Sequence, residues 1–294
     1  MLRNKKIIII ALLLMLTVAA KAQSDKLAKA IQFLQNNNLD SAKIFIDAAT
    51  KHPFTKNNAQ AWYIKGFIYK EIYNKNEIGN KQSTARTEAL QAFKKSIRLD
   101  TLKENITENT KNITYLAYKF FNDAANSLDT LNYKIAIEDF EQYKTIMTTI
   151  DTTNIAQKEL EFNLAIASVY TRLFEKDRDK NTVFFNLAKA SYLKVLKTSP
   201  NNATANYNIG ILFYNQAVYL IKKMDYDVDM IALSDIQDNS IILFKQALPF
   251  MNQAYTLNPT RKEAIQGLSG IYFSLNDFEK STYFQKLLES LNTK

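Results

Sequence analysis

Small and apolar residues recur along the chain at the spacing i, i+4, i+7: Ala42-Ile46-Ala49, Ala89-Phe93-Ser96, Ala136-Phe140-Tyr143, Ala188-Tyr192-Val195 and Ala247-Met251-Ala254. A degenerate sixth copy is Ser281-Gln285-Leu288. Residues so spaced share one face of an α-helix, and the small ones mark where a neighbouring helix comes close. After most copies a stop falls at nearly the same distance: His52-Pro53, Asp100-Thr101, Ser199-Pro200-Asn201-Asn202 and Asn258-Pro259. Proline cannot continue the helix, because it has no amide hydrogen to donate and its ring clashes with the preceding turn. A second helical segment lies upstream of each triplet, clearest at Trp62–Tyr69 and Asn206–Phe213. Gly66 and Gly210 stand at equivalent places in these two segments. Glycine inside a helix costs roughly 1 kcal/mol against alanine, and close approach of a partner helix is the reason to keep it.

On these residues the chain resembles the tetratricopeptide-repeat (TPR) family, whose pattern is W-x2-L-G-x2-Y…A-x3-F…P. Trp62, Gly66, Tyr69, Ala89 and Phe93 match it, with Lys65 in place of the Leu and Thr101 in place of the Pro. Ile209, Gly210, Phe213, Ala247, Met251, Ala254 and Pro259 match a second copy, and Leu268, Tyr272 and the turn Asn276-Asp277-Phe278 a third. The triplets begin at 42, 89, 136, 188, 247 and 281, so the intervals are 47, 47, 52, 59 and 34 residues. Only the last equals the family's repeat of about 34. The surplus falls between the two helices of a unit, near 74–87, 175–182 and 224–239, either as longer helices or as enlarged inter-helix turns. The resemblance implies an all-α, right-handed superhelical solenoid of about six helix pairs over residues 23–294. In the third unit the first helix is expected over 113–127. Gln285, where other copies carry Phe, Tyr or Met, suits a solvent-facing terminal repeat.

The N-terminus is set apart from the fold. Met1-Leu-Arg-Asn-Lys-Lys6 is basic, Ile7 to Ala20 is apolar, and Ala20-Lys21-Ala22 places small residues two apart. This is the layout of a secretory signal peptide over residues 1–22, cleaved before Gln23. The alternative is an uncleaved anchor, although a helix of this run spans only about 21 Å against a hydrocarbon core of roughly 30 Å. The mature chain is therefore expected to be exported, periplasmic or otherwise outside the cytoplasm, with no further transmembrane span.

Composition mainly removes possibilities. The chain of 294 residues has no Cys, one His, five Gly and four Pro. So few turn-formers disfavour sandwiches and barrels. No Cys excludes disulfides, thiol catalysis and a lipidated cysteine, and a single imidazole, His52, removes most zinc sites. The net charge of +9 includes Arg3, Lys5, Lys6 and Lys21, so the mature chain carries 34 basic and 29 acidic side chains. These are scattered, which argues against nucleic acid as a partner. No phosphate-cradling or nucleophile-elbow motif is present. Asp225-Tyr-Asp227-Val-Asp229 opens like a calcium loop, but Met230 and Ile236 stand where the turn Gly and the bidentate Glu belong. No catalytic residue, cofactor or metal site is expected. Asp40-Ser41-Ala42, Asp100-Thr101-Leu102, Asp129-Thr130-Leu131 and Asp151-Thr152-Thr153 resemble the O-glycosylation signal of Bacteroidota envelope proteins. Asp and Thr are equally good turn and cap residues at such places.

TPR proteins bind peptides or partner proteins along a groove lined by the first helix of each pair. Carried over, that groove would show Tyr63, Phe67 and Lys70, then Tyr207, Ile211, Tyr214 and Asn215, then Gln266 and Phe273. Some members hold a terminal carboxylate with a Lys and an Asn one helical turn apart. Here those places carry Tyr63 with Phe67 and Tyr207 with Ile211, which counts against such a clamp. In the fifth unit both helix faces are apolar, so Tyr207, Ile211 and Tyr214 are either core or groove. The resemblance implies a non-enzymatic protein-protein interaction scaffold in the cell envelope, its partner an envelope protein or peptide segment. The alternative is a glycan-binding, outer-membrane-associated helical-repeat protein.

Overall fold

A computed structural model describes residues 25–224 and 229–292. The expected signal peptide, residues 1–22, and Asp225 and Asp227 of the acidic turn lie outside them. Among the described residues every regular element is a helix. The chain divides into two compact units, one holding residues up to Asn126 together with Ala136–Thr153, the other Ser127–Ile135 and the chain from Asn154 onward.

The first unit comprises α1 (residues 25–35), α2 (Leu39–Lys51), α3 (Ala59–Ile72), α4 (Thr84–Leu99), α5 (Ile106–Asn126) and most of α6 (Tyr133–Met147). The second comprises α7 (Ile155–Lys176), α8 (Thr182–Thr198), α9 (Ala203–Lys222), α10 (Met230–Leu257), α11 (Lys262–Ser274) and α12 (Phe278–Asn292). Several helices start for the same local reason. Asn38, Asn58, Ser83 and Asn202 each stand just outside a helix and accept a hydrogen bond from the amide three residues on. Such a cap satisfies one of the four amides a helix start leaves without a partner, and stabilises by about 1 kcal/mol.

The expected helix pairs are present. Phe33 stacks on Phe45 between α1 and α2, Phe121 meets Phe140 between α5 and α6, and α3/α4, α7/α8, α9/α10 and α11/α12 pack as pairs. In the first five triplets every member is buried. In the sixth Ser281 is buried and Gln285 is exposed, as a terminal repeat requires. The paired glycines have distinct packing reasons. A Cβ on Gly66 would stand 2.5 Å from the ring of Phe93, and one on Gly210 would stand 3.2 Å from the backbone nitrogen of Met251.

The surplus residues take both forms the spacing allowed. Between α3 and α4 they make a π-helical turn, Tyr73–Glu77, followed by an open loop in which Gly79 has φ +82°. In the second unit, among the described residues, part of them lengthens the helices: α7 runs 22 residues, α9 20 and α10 28. α10 carries Pro249 in its interior, which leaves the carbonyl of Lys245 without the usual amide donor. α5 begins at Ile106, seven residues before the start read from the sequence. Its first turns are polar, yet Asn109 is buried and donates to Ser96 Oγ at 3.0 Å.

Charge does part of the packing in the first unit. Lys65, in the place of the family's Leu, is buried and lies 3.1 Å from both Asp47 and Glu88. Arg86 is 1% exposed; its guanidinium meets Asp123 at 2.6 Å, donates to the Lys81 carbonyl and lies 3.6 Å from the centre of the Phe120 ring.

Candidate binding surfaces

In α3 the residues Ile64, Ile68 and Ile72 point into the core. The 3.6-residue period then leaves Tyr63, Phe67 and Lys70 together on another face, all three half-buried. The adjacent first helix, α5, completes this face. Lys70 Nζ donates to Asn112 Oδ1 at 2.8 Å and lies 4.1 Å from the Phe67 ring centre, and 5.9 Å from that of Tyr115. The Tyr115 hydroxyl donates to Asn74 Oδ1 at 2.8 Å, and the Lys119 ammonium lies 4.9 Å from the same ring. Burial, with the charge of Glu108 nearby, pushes the Tyr63 phenol above its ordinary range. Thus Glu108, Asn112, Tyr115 and Lys119 belong to the face, and the sequence reading missed them. They fall at i, i+4, i+7 and i+11, a stripe whose first two members, Glu108 and Asn112, precede a start at 113. Chemically the face offers aromatic rings, the ammonium groups of Lys70 and Lys119, the Glu108 carboxylate and the Asn74 amide, over a buried Asn112 whose amide is bonded at both ends, and no nucleophile paired with a base. Such a surface suits stacking and hydrogen bonding to a peptide.

In the second unit Tyr207, Ile211 and Tyr214 are each half-buried, so their stripe is neither closed core nor open surface. The guanidinium of Arg261 lies 3.5 Å from the Tyr207 ring centre, and burial pushes that phenol up. Tyr214 has its ring 5.7 Å from that of Phe244 and its hydroxyl oxygen 2.6 Å from where a Cβ on Gly270 would stand. Only a glycine at 270 admits that tyrosine so close to α11. The Asn215 carbonyl accepts from Arg178 at 2.7 Å. Gln266 and Phe273 are exposed on α11, and Phe273 meets Phe278 edge-on at 5.6 Å. The structure therefore brings Tyr207 and Tyr214 against α11, while Gln266 and Phe273 stand in the open.

Other candidate groups have local partners. His52 Nδ1 accepts from the Phe54 amide at 3.4 Å at the end of α2. Asp100 accepts from the amides of Glu104 and Asn105, Asp129 from those of Leu131 and Asn132, and Asp151 from that of Thr153. These are the turn roles that compete with the modification reading. Asp229 caps α10 through the amides of Ile231 and Ala232. Among the described residues no group of three or more His, Asp or Glu is placed to hold a metal ion, and no helix is long and apolar enough to cross a membrane.

No protein-family profile matches the chain, and no curated protein matches it in sequence. Solved structures do match in shape. A TPR repeats protein from Bacteroides fragilis is 16% identical, with 85% of this chain and 97% of that one covered and a TM-score of 0.48. The TPR2AB-domain:pHSP90 complex of yeast Sti1 is 15% identical, with 93% and 92% covered and a TM-score of 0.34. The MamA protein is 15% identical, with 78% and 93% covered and a TM-score of 0.34.

Proposed function

We propose that this chain is a non-enzymatic, TPR-like interaction protein that receives a segment of a partner protein on the face shared by α3 and α5. The observation that carries this reading is the strip Tyr63, Phe67, Lys70, Asn112 and Tyr115. In it half-exposed rings from successive first helices are held in one arrangement by the Lys70–Asn112 and Tyr115–Asn74 hydrogen bonds. Rings held in place lose little freedom on binding, and aromatic anchors tend to dominate interfaces. The α9 stripe, with Tyr207, Ile211, Tyr214 and Asn215, and the exposed Gln266 and Phe273 of α11 serve as a second, smaller surface. The basic-apolar-small layout of residues 1–22 supports an exported, periplasmic setting, with an envelope protein as partner.

The glycan-binding alternative is less well supported. The chain has one Trp. Its indole N–H donates to the Lys56 carbonyl at 2.7 Å, and the Lys95 ammonium lies 4.1 Å from the ring, so it offers no open platform for a sugar. The test is capture of partners from an envelope fraction by the mature chain and by a Phe67→Glu/Tyr115→Glu double variant. Both positions are partly exposed, so the melting temperature should change little. Bound partner should disappear with the double variant. Capture of the same partner by both forms would overturn the assignment of this face.

A further inference from the structure

A cleft of about 600 Å³ opens in the first unit between the C-terminal half of α4 and the turn after α6, away from the α3–α5 face. Trp62, Ile97 and Ile150 give it an apolar floor, and Lys94, Lys95 and Arg98 stand around that floor. The register of α4 dictates this grouping. Ala89, Phe93 and Ser96 turn inward, which leaves Gln91, Lys94, Lys95 and Arg98 on one outward stripe. No carboxylate lines the cleft. None of the three cations is held in an ion pair among the described residues, although the Lys95 ammonium lies over the Trp62 ring. Asp151, next in the chain to Ile150, turns its carboxylate to Thr153. Three like charges beside a low-dielectric wall concentrate a positive potential, and the Lys94–Arg98 separation is one helical turn.

We propose that this cleft binds an acidic peptide segment, two carboxylates pairing with Lys94 and Arg98 while an apolar side chain between them rests on Ile97 and Ile150, beside Trp62. Arg98 presents a planar fork suited to a carboxylate, and each lysine adds a mobile point charge. Gln91 and Thr149 also line the cleft; the Gln91 amide can pair with a peptide backbone, and the Thr149 hydroxyl, which donates to the Ile146 carbonyl at 2.8 Å, is left to accept from a peptide amide. A sulfated or carboxylated sugar fits less well, because the indole face it would stack on is already under Lys95. This site deepens the partner-binding reading and rests on it, but is built on α4 and the turn after α6, with Trp62 from another face of α3.

Because Trp62 is the single Trp of the chain, its emission reports on the cleft directly. The mature chain is titrated with the peptide Glu-Glu-Leu-Glu-Glu, with its Gln-Gln-Leu-Gln-Gln counterpart, and with a sulfated disaccharide. The expected result is a saturable emission change with the acidic peptide alone, weakening as salt is raised. The double variant Lys94→Gln/Arg98→Gln should lose affinity by about tenfold or more at an unchanged melting temperature. A flat emission trace, an equal response to the Gln peptide, tighter binding of the sugar, or full affinity in the double variant would each overturn the proposal. Failure here with partner capture at Phe67 and Tyr115 intact removes this site alone, whereas loss of both removes the partner-binding reading.

Discussion

The pair α3/α4 in the first unit and the pair α9/α10 in the second are built on the same sequence device and fastened by different physics. Each first helix carries a glycine against the triplet of its second helix. Gly66 lies under the flat ring of Phe93, whereas Gly210 faces the backbone of Met251, whose flexible thioether also fills the space beside Gly267. Around Gly66 charge ties the pair and its neighbours, Lys65 of α3 to Glu88 of α4 and Asp47 of α2, and Arg86 of α4 to Asp123 of α5. Around Gly210 it is tied by rings: Phe213 stacks on Phe250 at 6.3 Å and Tyr214 meets Phe244 at 5.7 Å. A glycine in a repeat motif thus marks close packing without saying what packs there, and the neighbours decide how much a substitution is felt.

The largest expected effect is at the charged fastener. Arg86→Ala should destabilise the first unit by about 3–5 kcal/mol, because it strips the partly buried Asp123 carboxylate of its guanidinium and empties the space over Phe120. Urea unfolding would show this, and a loss below about 1 kcal/mol would mean that the pair is an incidental contact. Next come the two glycines. Gly66→Ala should cost about 2–3 kcal/mol, since the new methyl overlaps a ring that is itself fully buried. Gly210→Ala should stay within about 1 kcal/mol, because a few tenths of an ångström relieve the contact and alanine favours the helix. Equal losses at the two sites would contradict the difference drawn between ring and backbone.

The smallest effect concerns what charge fastening leaves behind. Asp139 is buried, and its Oδ2 has no hydrogen-bond partner. Burial raises its carboxyl pKa; Asp123 and Glu138 push the same way, while Arg86 and Lys81 pull it down. A folded pKa above the unfolded one means that the folded state keeps a proton that the unfolded chain releases. Stability therefore falls as pH rises from the ordinary Asp range through the raised value. Asp139→Asn should accordingly stabilise the chain at neutral pH, the gain fading below the ordinary Asp range. Urea midpoints of both forms at neutral pH and at about pH 3 would check this, and a gain that grows in acid would reverse the sign.

How much of this was legible before the structure depends on how local each feature is. The triplets, the glycines and the stops are carried by residues within one helix or turn, so they read directly from spacing. Lys65 did not: it stands where an apolar residue belongs, and only Asp47 on α2 and Glu88 on α4 make it a buried residue. The start of α5 was missed because Thr107, Glu108 and Asn109 look like a loop, whereas the helix there is supported by the Asn109–Ser96 contact. That error also hid Asn112, half of the strongest polar contact on the proposed partner face. The extra length of the second unit was visible as an interval, but whether it became turn or helix depended on side chains from neighbouring elements.

The central claim is that partner binding belongs to the first helices of the first unit. A photo-crosslinking amino acid placed at Phe67, and in a separate variant at Leu193 on the exposed face of α8, tests it in intact cells. The account predicts a discrete crosslinked product from position 67 and none from position 193. A product from position 193 alone, or equal yields from both, would contradict it.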